Sequence, residues 1–66
     1  MRICDLTVPE LNRYRDLCNF LDDEMEYFNM KARDKSNVQI AIAMSISEAQ
    51  VSRIALRVKD KMRRIG

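Results

Sequence analysis

The chain has 66 residues, 47% of them apolar and 33% charged, with no His, no Trp and a single Gly, Gly66. That inventory excludes a His-based zinc site, a Ser-His-Asp triad and a Gly-rich phosphate loop, so neither an enzyme nor a cofactor is expected. The net charge of +2 is unevenly spread: residues 1–33 carry five Lys/Arg against seven Asp/Glu, residues 34–66 carry seven against three, and six of those seven fall between positions 53 and 64.

Residues 1–6, "MRICDL", alternate enough for a short strand or an ordered arm. Asp5 and Pro9 interrupt any apolar run, which argues against a signal peptide. A first helix opens at "TVPE", where Thr7 caps, Pro9 fits the first turn and Glu10 completes a capping box. Leu11, Tyr14, Leu17 and Cys18 form its apolar face, and it ends within residues 19–21. Cys4 and Cys18 allow one disulfide at most and fit no metal motif. Such small secreted domains ordinarily carry more bridges, so both read as reduced, buried thiols in a cytoplasmic protein.

The second helix starts at "LDDEMEYF", with Asp22 as cap and Asp23 and Glu24 on the positive end of the helix dipole. Capping explains this acidic cluster better than a metal site does. Met25, Phe28 and Ala32 face inward, with Tyr27 or Met30 beside them, and Lys31 and Arg33 close the last turn. The break is "RDKSN". Ser36 starts a third helix with Gln39 as its box partner, and Val38, Ile40, Ala41 and Met44 are its apolar residues. Ser47 starts a fourth with Gln50, and Val51, Ile54, Val58 and Met62 make an inward stripe that ends near Ile65. Tyr14, Phe20, Tyr27 and Phe28 read as core or interface aromatics, and Met25, Met30, Met44 and Met62 as core fillers. No stretch approaches the roughly 20 apolar residues of a membrane span.

The third and fourth helices are separated by about three residues, and each has its own cap, so they must cross steeply. Ala41 is the small residue at the crossing, and Ile46, an isolated apolar residue between two serines, plugs the corner. "SNVQIAIAMSISEAQVSRIALRVKDKM" resembles the helix-turn-helix of LuxR/GerE regulators and of region 4 of sigma-70-type factors, a module also found in small bacterial and phage regulators. The likeness covers residues 21–65. It rests on "S-N-x-x-I-A", "I-S" and "V-S-R", after a Leu-acidic opening. Ser45 stands where the family usually has Gly; a left-handed residue is strained without Gly, so an altered turn is expected.

The resemblance implies an all-α fold of about four helices: a three-helical DNA-binding bundle with a helix-turn-helix, plus an N-terminal helix, in one domain (1–20 arm and extra helix, 21–65 family-like module). It implies that the fourth helix enters the major groove of double-stranded DNA in a small transcriptional regulator. Gln50 would pair with adenine, Arg53 with guanine, and Ala49 would touch a thymine methyl. Ser47 would offer its hydroxyl and the helix N-terminus to a phosphate, and Ser36, Asn37 and Lys35 would hold the opposite strand. Ser52 and Arg57 share the outward face, and Lys61 lies towards the backbone edge. Arg53 and Arg57 also fit a merely solvated face, and Gln50 a purely structural cap. A homodimer through the first helix, with the end of the last, is compatible with this reading. So is a protein-interaction role of the region 4 kind, with RNA polymerase or another transcription protein as partner; no membrane is.

Overall fold

The computed structural model describes residues 2–65, so Met1, part of the opening segment, and Gly66 lie outside it. The fold is all-α: a 3-10 turn at Ile3–Asp5, then α1 (Val8–Leu17), α2 (Asp22–Ala32), α3 (Asn37–Met44) and α4 (Glu48–Ile65). No strand is present among the described residues; the opening segment is instead the 3-10 turn, which rests against α2. The molecule measures 29 × 19 × 19 Å. The longest helix, α4, packs against α1, α2 and α3 in turn.

Three of the helix starts follow the Ser/Thr-x-x-Glu/Gln pattern in the sequence. Thr7 N–H donates to Glu10 Oε1 at 3.0 Å and Ser36 N–H to Gln39 Oε1 at 2.9 Å, and each residue's hydroxyl accepts the backbone N–H of its box partner. Ser47 and Gln50 repeat the exchange at 3.2 Å in both directions. Each box satisfies two backbone donors that a helix start otherwise leaves orphaned.

The start of α2 differs from expectation. Leu21, not Asp22, is the N-cap residue, and its N–H donates to the Glu24 carboxylate at 2.9 Å. Leucine has no acceptor, so Glu24 closes that terminus by reaching back from the third helical position. The end of α1 also moves. The helix stops at Leu17, and Asn19 turns the chain with a φ of 51°.

Two further helix ends use left-handed residues that are not glycine. After α2, Asp34 has a φ of 61°, Asp34 N–H bonds to Lys31 O and Lys35 N–H to Met30 O. After α3, Ser45 has φ 57° and ψ 43°, Ser45 N–H bonds to Ile42 O at 3.2 Å and Ile46 N–H to Ala41 O at 3.0 Å. Both are Schellman endings, and after the second the Ile46 side chain packs against the core. The turn thus keeps its left-handed residue despite the absent glycine.

The core comprises Leu6, Cys18, Tyr27, Phe28, Ile40 and Ala41 together with Val51, Ile54, Ala55, Val58 and Met62 of α4. The α4 residues recur at steps of three, one, three and four, which is one face of a 3.6-residue helix. Burying each of the larger side chains contributes about 1.5–3 kcal/mol. Phe20 and Phe28 meet tilted at 5.0 Å between ring centroids, and Arg15 lies over Phe28 at 5.6 Å.

Several side chains sit elsewhere than the pattern suggested. Leu17 is exposed, because the buried side of α1 runs through Leu11, Tyr14 and Cys18 and Leu17 lies about 100° round the helix from Cys18. Val38 is exposed because Ile40 and Ala41 define the inward side of α3, about two residues round the helix. Tyr27 is a core residue rather than a flank, whereas Met25 and Ala32 are only half-buried. Cys4 is half-buried and Cys18 buried, both as free thiols. No helix of the described residues is long and apolar enough to cross a membrane.

Candidate nucleic-acid interface

The three residues 45–47 that join α3 to α4 decide which way the N-terminal half of α4 faces. Ile46 is half-buried against the core, and Ser45 and Ser47 point outward on either side of it. With Val51, Ile54, Ala55 and Val58 turned inward, the opposite face of α4 carries Ala49, Ser52, Arg53 and Leu56, all exposed. Glu48 in the first turn sits favourably on the helix dipole.

Two clefts flank this face. One brings Gln50, Arg53 and Arg57 together beside Met44 and Ile46. The other brings Asn37 and Ser52 together beside Lys31 and Lys59. Ser36, Ser47, Ala49 and Lys61 line neither cleft. Ser36 and Ser47 are exposed at the starts of α3 and α4, with their hydroxyls engaged by Gln39 and Gln50 N–H. The Asn37 Oδ1 is buried and has no partner among the described residues.

The basic stretch divides into two groups. Arg57 donates to Asp23 Oδ2 at 2.9 Å and stands 3.4 Å from Glu24 Oε2. Lys61 donates to Glu24 Oε1 and approaches the Asn19 carbonyl at 3.5 Å. Arg64 pairs with Asp60 one turn away at 2.9 Å. Among the described residues, the side chains of Arg53, Lys59 and Arg63 form no ion pair. Half of the positive charge on α4 is therefore balanced within the fold, and half faces outward unbalanced.

Glu24 is the organising group that the sequence did not reveal. It is 1% exposed, the one charged residue in the core among the described residues. Burial alone would raise its carboxyl. The Lys61 hydrogen bond, the Leu21 N–H and the charges of Lys61 and Arg57 together outweigh burial and hold it below its ordinary 4.5. A capping pattern could suggest Glu24 as a box residue. Its cations lie 33 and 37 positions away in sequence, beyond any local spacing rule. The acidic cluster of α2 thus serves helix capping and this ion-pair group. No set of three metal-ligating side chains gathers there or elsewhere among the described residues.

Gln50 has a prior engagement. Its Oε1 accepts from Ser47 N–H, so only its amide N–H groups are free. A bidentate pair with adenine needs that oxygen as well, which would open the cap of α4. The chain matches no protein-family model, no curated protein and no solved structure.

Proposed function

We propose that this protein binds double-stranded DNA through α4, by placement rather than by chemistry, as a small cytoplasmic regulator of transcription. The observation that carries the proposal is the outward face of α4. Arg53 stands there at the second turn with no ion pair among the described residues, with Ser52 and Ala49 beside it and Lys59 and Arg63 further along. A helix of this width fits the major groove, where an arginine reads guanine and phosphates take the flanking cations. The short turn after α3, with Ile46 N–H bonded to the Ala41 carbonyl and its side chain packed against the core, supports the helix-turn-helix reading.

In this reading Arg53 reads a base, and Ser52 and Ala49 lie against the groove. Ser47 approaches a phosphate, with Ser36 and Asn37 at the start of α3 on the other strand. Arg57 and Lys61 act mainly by tying α4 to α2 and contribute less to phosphate binding than their charge suggests. Two copies on paired half-sites would double a small interface. The test is a nuclear magnetic resonance titration with a mixed-sequence duplex. Expected are shifts at Ser47, Ala49, Ser52 and Arg53, with α1 unmoved; shifts confined to α1 and α2 would contradict the proposal.

A second reading, a protein-binding module of the region 4 kind that meets RNA polymerase or another regulator, is favoured by α3. That helix contains no charged residue, and its outer side exposes Val38 and, at 75%, Ile42. The two lie four residues apart on one face, the spacing of a small apolar contact.

A further inference from the structure

Leu56 is 67% exposed in the middle of the outward face of α4, and it lines the clefts on both sides of that helix. It therefore stands as an apolar ridge between two grooves. Arg53 lies one turn before it and Lys59 one turn after it, both unpaired among the described residues, with Arg63 a further turn along. An apolar ridge set among unbalanced cations does not suit a hydrophobic protein surface, whose apolar contact would leave those charges facing nothing. It suits a polyanion with apolar groups on an accessible floor. The major groove of DNA is such a surface: phosphates line its walls and the thymine C5-methyl projects from its floor.

We infer that Leu56 is a specificity-determining residue that packs on thymine methyl groups, so that the preferred site is defined by thymines around the base read by Arg53. The inference rests on the DNA-binding reading above. Leu56 lies about 12 Å along the axis from Glu48, so its thymine is displaced along the groove from the base that Arg53 meets. The engagement of Gln50 in its cap points the same way. With its acceptor oxygen used by Ser47, the helix has one strong hydrogen-bonding reader, Arg53, and two apolar ones, Ala49 and Leu56. Leu56 makes no part of the core, so truncating it leaves the fold intact.

The experiment starts from the duplex that the protein itself retains from a randomised pool. Each thymine is replaced singly by deoxyuridine, which removes one methyl group and no hydrogen bond. Binding is compared for the wild type, Leu56→Ala and Leu56→Met. Expected is a loss of about four-fold at one or two thymines with the wild type, which corresponds to about one buried methyl. At the thymine displaced along the groove from the Arg53 base, that loss is expected to persist in Leu56→Met and to vanish in Leu56→Ala. Equal losses in the wild type and Leu56→Ala, or none in either, would overturn the inference while leaving DNA binding in place. Retention of no duplex at all would overturn the DNA-binding reading itself, and this inference with it.

Discussion

At Glu24 a carboxylate is enclosed by the fold, and its partners are not: the side chain of Arg57 is 50% exposed and that of Lys61 27%. The consequences of mutation are therefore unequal. Glu24→Gln leaves two cations that can turn to water, whereas Lys61→Met leaves a buried carboxylate with the Leu21 N–H and Arg57 as its only cation. Lys61→Met is expected to destabilise by about 2–3 kcal/mol, and by more than Glu24→Gln, in urea denaturation. The folded-state pKa of Glu24 lies below its ordinary 4.5. Its contribution is thus complete above that value and is lost as the pH falls through the folded one. Exposed Glu10, lowered by its bonds from the Thr7 N–H and hydroxyl, acts with the same sign. Acid titration followed by circular dichroism should show Lys61→Met unfolding at higher pH than the wild type; coincident curves would mean that the pair is not formed. Ser45 offers the opposite change. Its left-handed backbone carries a Cβ penalty that glycine lacks, so Ser45→Gly should gain about 1 kcal/mol, a rise of roughly 4–8 °C in Tm.

At the scale of the elements, α4 is where sequence and structure agree most closely. The Ser47–Gln50 box and the stripe Val51, Ile54, Val58 and Met62 are local patterns, set by a three-residue reach and a 3.6-residue period, and both are realised. The same locality makes the boxes at Thr7 and Ser36 legible. What the patterns miss depends on distant chain. The burial of Glu24 needs α4 against α2, and the exposure of Val38 needs the orientation of α3 on its neighbours. The end of α1 is unmarked in "LCNF", because Asn19 takes the left-handed position that a glycine would announce, and the exposure of Leu17 needs the rotation of α1 on α4. Leu56 escaped notice because a stripe is read by what lies inside it, not by an apolar residue on the far side. Paired substitutions in α4 test its sidedness by thermal melting. Ile54→Ala should cost about 3 kcal/mol, whereas Leu56→Ala should stay within about 0.5 kcal/mol of the wild type. Similar costs would mean that α4 is rotated from the orientation described.

Over the whole molecule, charge is sorted by the packing. The negative first half supplies Asp23 and Glu24 to α4, which neutralise Arg57 and Lys61 and fasten the helix at mid-length. The fold that results leaves Arg53, Lys59 and Arg63 of α4 outward and unpaired among the described residues. The all-α architecture was legible from the chain, since every helix has its own start signal and no segment alternates long enough for a sheet. The candidate interface was legible only in part: Arg53, Ser52 and Ala49 face outward as expected, but the sharing of cations between fold and surface appears only once α2 lies against α4. The proposal that α4 binds duplex DNA is tested most directly by fluorescence anisotropy on a mixed-sequence duplex, titrated with salt, with Arg53→Ala in parallel. About three phosphate contacts should give a log–log salt slope near −3. Arg53→Ala should weaken binding to a preferred duplex by about ten-fold or more with little change in that slope, as expected for a base contact. Absence of binding at low salt, or an Arg53→Ala protein indistinguishable from the wild type, would contradict the account.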